Sequence, residues 1–201
     1  MKYLPLLAFV VLASCAAPTR TAIEPKGEFA TIKVEDSNQE VRHLMEGDRG
    51  AVARVTANPG AYHPAVLYAL SDALVRSGRK DEAVEWFYLG QLRARSDANK
   101  AQDPSAKRAV SALNERFGPQ INPYAFQDIG KLKATVARVL SKDRTLGRNY
   151  DARWIALTGT DAFSSEKVRF APRSQWKSID ERTRKEYEAG FQEMLKHLPA
   201  R

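Results

Sequence analysis

Acid–base and metal chemistry need titratable side chains gathered at short range, and this sequence of 201 residues gathers few of them. His43, His63 and His197 have no metal-like spacing, and no cysteine or carboxylate cluster surrounds them. No G-x-S-x-G, Walker or H-E-x-x-H sequence is present to supply a nucleophile, a phosphate cradle or a zinc site. Glu181, Glu186 and Glu188 share one helical stretch with Arg182, Arg184 and Lys185, the pattern of a solvated ion-pair face rather than of paired catalytic carboxylates. The expectation is a protein that is not an enzyme and takes no cofactor and no metal. The densest polar–aromatic cluster is Arg148, Asn149, Tyr150, Asp151, Ala152, Arg153 and Trp154, in a segment between predicted elements. Tyrosine, tryptophan and arginine dominate binding hot spots, so Arg148, Tyr150, Arg153 and Trp154 are candidate partner contacts. The same residues suit the anchoring of a loop to a core, and the sequence alone leaves both readings open.

The single cysteine, Cys15, has a different chemistry. Lys2 precedes an apolar run over residues 4–13, broken only by Pro5 and far short of the ~20 residues that span a bilayer. Length and flanks fit the apolar region of a secretory signal. The run ends in Leu12-Ala13-Ser14-Cys15, which resembles the lipobox of bacterial lipoproteins: a branched apolar residue and two small ones before a cysteine. The resemblance implies removal of residues 1–14, a thioether from Cys15 to diacylglycerol, and three acyl chains in all. One chain anchors reversibly, whereas two or more hold a protein at a membrane stably. Residue 16 is Ala rather than the Asp that retains related proteins at the inner membrane, so the expected address is the periplasmic face of a Gram-negative outer membrane.

Residues 15–40 contain Pro18, Pro25 and Gly27 without a helical period and read as the lipidated cysteine and its linker, with Phe29, Ile32 and Val34 as one short edge strand at most. From residue 41 apolar spacing of three and four takes over, so residues 41–201 are expected to form a single, mainly α domain. Val41, Leu44 and Met45 open it, and a second short helix ends at Asn58-Pro59-Gly60. Pro64 starts a helix carrying Leu67, Leu70 and Leu74, which Gly78 stops. Ala83, Val84, Phe87 and Leu92 lie on the buried side of the next. Asp103-Pro104 and Asp128 open two more, the first closed by Gly118-Pro119, and residues 174–198 form a capping helix. Residues 153–170 are less regular and read as two short strands or a packed loop.

Residues 64–95 resemble a tetratricopeptide repeat, a 34-residue helix–turn–helix unit. Leu67, Leu70 and Leu74 take the large positions of its first helix, Ser71 the small one, Gly78 the turn, and Ala83, Phe87 and Gly90 the small–large–small sites of the second helix. Leu67 replaces the usual aromatic, and Arg95 stands where a proline usually ends the unit. A solitary repeat cannot bury its faces, so about three degenerate hairpins are expected, from 38–57, 64–95 and 104–143. The function this resemblance implies is recognition of a protein partner on the first-helix surface, here Ala65, Tyr68, Asp72, Val75 and Arg76.

The net charge of +8 is concentrated in residues 107–173, which carry 13 basic and 6 acidic side chains, while residues 15–106 are nearly balanced. Export argues against nucleic acid as the partner, and an acidic protein surface or anionic lipid head groups fit better. The expected function is a membrane-anchored protein–protein interaction module, either an inhibitor of a periplasmic toxin or hydrolase or an envelope assembly adaptor. The alternative is an envelope enzyme or accessory subunit acting on peptidoglycan.

Overall fold

Leu67, Leu70 and Leu74 recur at the spacing that brings one face of a helix against its neighbour, and that face organises the molecule. A computed structural model of the protein describes residues 24–197. It is a mainly α array of helical hairpins: α1 (Glu35–Glu46), α2 (Arg49–Ala57), α3 (Pro64–Arg76), α4 (Lys80–Lys100), α5 (Arg108–Ala125), α6 (Ile129–Thr145), the single turn α7 (Asp161–Ser164) and α8 (Arg173–Lys196). Among the described residues there is no strand, only an isolated bridge between Ala101 and Phe170.

The α3–α4 hairpin is the centre. Pro64 sits in the first turn of α3, where its missing N–H would have had no partner. Gly78 (φ 80°) turns the chain in the left-handed region, and the N–H groups of Gly78 and Arg79 return to the carbonyls of Val75 and Leu74. On α4, a Cβ at position 90 would stand 3.1 Å from the Tyr68 ring and 3.2 Å from Leu67 Cβ, so glycine there lets the two helices close. Packed by α3, α5, α6 and α8, α4 buries most of its circumference, including Arg93, Ser96, Asp97 and Lys100.

Two expectations change and two are made more definite. The stretch read as a linker is packed from residue 27 onward: Gly27–Thr31 is a 3-10 turn, not an edge strand, and Phe29 (1% exposed) and Ile32 (7%) lie against Ala156, Leu157, Ala162 and Val168. Two apolar residues among prolines and charges are too few to show a period. Gly118-Pro119 does not close a helix; α5 runs through Pro119 and Pro123 to Ala125. Proline costs a ring clash and one hydrogen bond, but Pro119 and Pro123 lie at exposed positions, as do Glu115 and Pro119, the residues four earlier whose carbonyls lose a donor. Of the two readings of residues 153–170 the irregular one holds: Ala152–Thr158 is a 3-10 helix, followed by α7 and the single bridge. The expected C-terminal capping helix is α8, which lies along α4, where Tyr187 Oη donates to Gln91 and Asn99 donates to Thr183.

Candidate functional site

The first-helix residues carried over from the repeat resemblance do not form an open surface. Tyr68 is fully buried; its hydroxyl donates to Asn114 Oδ1 on α5 at 2.8 Å, and its ring meets Phe87 edge-on at 5.3 Å. Asp72 is buried and accepts from Arg76 Nε at 3.0 Å, while Arg76 Nη2 donates to the Leu44 carbonyl on α1 at 2.6 Å. With α1 on one side and α5 on the other, the protein's own helices fill that face around Tyr68 and Asp72, while Ala65 at its N-terminal end stays partly exposed. Tyr68, Asp72 and Arg76 are therefore packing and tethering residues, a correction to their reading as partner contacts.

The cluster at 148–154 is mostly an anchor, and what it anchors to is a buried ionic network. Asp143, on the last turns of α6, has a fully buried side chain that accepts from Arg93 Nε (2.8 Å), Arg148 Nη2 (2.9 Å) and Arg184 Nη1 (2.8 Å). Arg93 also donates to the carbonyls of Leu146 and Gly147, which stops α6 and starts the loop. One turn along α4 from Arg93, Asp97 accepts from Lys100 Nζ (3.0 Å), Tyr150 Oη (3.0 Å) and Trp154 Nε1 (2.9 Å). Lys100 reaches on to Asp180 of α8 at 2.7 Å, and Ser96 donates to the same carboxylate. Burial raises the Asp143 carboxyl, but the fields of Arg148 and Arg93 and the Arg184 hydrogen bond outweigh it and hold the group below the usual carboxylate range. Burial, reinforced by Asp97, pushes the Tyr150 phenol well above 10. Arg148 and Tyr150 are thus spent on the interior, and Arg153 is held by Asp151 at 2.7 Å. These three are corrected from partner contacts to loop anchors.

Trp154 anchors the loop and also lines a cleft. Its indole N–H points inward to Asp97, and its ring stacks on His63 (centroids 4.8 Å apart, 15° between planes). That pair floors a cleft of about 580 Å³, with Ala109, Ala112 and Leu113 of α5 on one wall, Leu157 and Thr158 on another, and Arg108 and Arg116 at its edges. The volume falls in the range of ligand sites, ~300–1,000 Å³. No carboxylate lines it. Arg108 and Arg116 are exposed and make no ion pair among the described residues. His63 is 4% exposed, its Nδ1 is enclosed without a hydrogen-bond partner, and burial lowers its pKa to about 4, so the ring is neutral at physiological pH. A larger hollow of about 790 Å³, beside Lys33, Asp36, Asp151 and Arg173, is bordered by charges of both signs and lacks such a floor.

Sequence reasoning missed His63, Leu113, Arg108 and Arg116. The available signal was the row Arg108, Ala112, Arg116 at steps of four on α5, inside the segment whose basic excess was already visible. Cys15 and the signal over residues 1–14 lie outside the described residues.

No family model matches this chain, and no solved structure matches it. A Haemophilus influenzae protein described as "Uncharacterized protein" is 28% identical over 117 residues, 57% of this chain and 46% of that protein, so the match spans less than half of the relative's length.

Proposed function

We propose that this protein is a membrane-tethered recognition module of the bacterial envelope: Cys15 carries the lipid anchor on the periplasmic side of the outer membrane, and the helical domain binds a protein partner in the Trp154–Leu113 cleft. The observation that carries the reading is the cleft itself, apolar on its floor, bordered by two arginines that make no ion pair among the described residues and built on a loop fixed by buried ion pairs. A rigid apolar floor with a charged rim is how protein interfaces are organised. A binding role is favoured over turnover because the one imidazole at the cleft is stacked on Trp154 and almost wholly buried, and no carboxylate lines the cleft beside it. Such a module acts either as an inhibitor that occupies an envelope hydrolase or toxin, or as an adaptor in envelope assembly.

The test is photo-crosslinking in intact cells with p-benzoylphenylalanine at Leu113, in the cleft, and at Ala134, exposed on α6. A discrete envelope protein captured from position 113 and not from 134 is expected, and it should be lost from the membrane fraction when Cys15→Ser removes the anchor. Equal capture from both positions, or none from 113, contradicts the reading. Incorporation of labelled fatty acid, measured on the same cells, tests the Cys15 assignment separately.

A further inference from the structure

We infer that the segment seated in the cleft is an acidic, apolar stretch of the partner's polypeptide, with carboxylates meeting Arg108 and Arg116 and an apolar side chain between them on the Trp154–Leu113 floor. This rests on the recognition reading above and specifies its ligand. Arginines elsewhere in the fold mostly have a carboxylate of their own: Arg54 holds Glu40 and Asp48, Arg79 holds Glu82, and Arg169 holds Asp161. Arg108 and Arg116 have none among the described residues: Arg116 rests only against the Phe117 ring, 5.2 Å from its centroid, and both arginines sit at the edge of a cleft that no acid lines. The acid nearest them in sequence, Glu115, is exposed on α5 but does not line the cleft. An unpaired guanidinium presents up to five donors in a planar fork suited to a carboxylate.

Spacing strengthens the assignment. Eight residues of helix separate the two arginines by ~12 Å along the axis at ~1.5 Å per residue, too far for one carboxylate to serve both. Between them Ala109 and Ala112 present only methyl groups, which leaves depth for a partner's apolar side chain to reach Leu113 and the Trp154 ring. An anionic bilayer satisfies the charges but not the shape, since a flat surface cannot reach a floor set between α3, α5 and the 152–158 segment.

The test uses the chain from Ala16 to Arg201, which contains every described element, in selection from a displayed library of random 12-residue peptides. Binders are remeasured as fluorescein conjugates, alongside copies whose Asp and Glu are replaced by Asn and Gln. The selected peptides should combine acidic with large apolar residues, and amide replacement should weaken binding at least tenfold. Arg108→Glu with Arg116→Glu should also weaken them at least tenfold, with an unchanged melting temperature because both side chains are exposed, and a fresh selection on that variant should turn to basic peptides. Absence of acidic enrichment, indifference to the charge reversal, or no peptide binder at all overturns the inference. So does arginine-dependent binding to phosphatidylethanolamine–phosphatidylglycerol vesicles in place of peptides. A partner crosslinked at Leu113 that lacks an acidic segment sinks this inference and leaves the recognition module standing, whereas absence of crosslinking at Leu113 removes the module itself.

Discussion

Asp97 and His63 meet through one side chain, Trp154, whose two ends they fix. Asp97 is wholly buried and accepts from Lys100, Tyr150 and Trp154. Removing one partner of a buried ion pair leaves an uncompensated charge and costs ~3–5 kcal/mol, so Asp97→Asn should destabilise by about that amount in urea unfolding and raise Trp154 emission exposure at the cleft. A loss under 1 kcal/mol would mean that the loop is held by something else. His63 makes a pH signature. Its folded pKa, about 4, lies below the unfolded value near 6.5, so folding favours the neutral ring; the contribution is full above pH ~6.5 and is lost as pH falls toward 4. The shift corresponds to about 3 kcal/mol. Wild-type stability should therefore decline between pH 7 and 4.5, and His63→Gln should flatten that profile; an identical slope in the variant contradicts the assignment. Asp143, lowered rather than raised, contributes above pH ~4 and loses its contribution below that, in a separate window.

At the scale of elements, apolar period and stop signals placed most helices: α1–α2, α3–α4, α5–α6 and α8 stand near their expected positions because Leu67, Leu70, Phe87 and Val136 keep helical spacing. Phe87, 1% exposed between Tyr68 and Tyr88, is the ring on which the central hairpin closes. Phe87→Ala should cost ~3–5 kcal/mol, read as a lowered melting temperature, and an unchanged one would count against the hairpin. Less legible were elements whose logic is long-range. Nothing local in Phe29 and Ile32 announces that Ala156 and Val168 await them, yet Glu28 accepts from the Val168 N–H at 2.9 Å and donates its own N–H to Glu166. Phe29→Ala is expected to destabilise by about 3 kcal/mol; no change in the urea midpoint would return residues 27–34 to the role of a linker. The site was half legible for the same reason. The polarity of residues 148–154 was visible, but whether Arg148 and Tyr150 face water or Asp143 and Asp97 depends on α4 and α6, 50 residues or so upstream and beside them.

For the molecule as a whole, the central hairpin stands where the repeat resemblance put it, but Tyr68 and Asp72 of the expected first-helix surface are buried and only its Ala65 reaches the cleft. A first-helix surface is open only where neighbouring helices leave it bare, and here α1 and α5 occupy it, so Tyr68 and Asp72 became interior. The same α5 that fills most of that face turns Arg108, Leu113 and Arg116 toward a cleft at the N-terminal end of α3, which Ala65 also lines, within the basic half of the sequence. On the function proposed above, the tether and the cleft are separate devices, one setting location and the other choosing the partner. The most direct measurement is the affinity of the partner crosslinked at Leu113 for two variants, compared side by side with circular dichroism to verify folding. Arg108→Glu with Arg116→Glu should weaken binding at least tenfold, ~1.4 kcal/mol, while Arg76→Glu, on the filled face, leaves the affinity of the folded protein within about twofold. Loss of binding in the Arg76 variant with retention in the cleft double variant would contradict the account and return recognition to the α3 face.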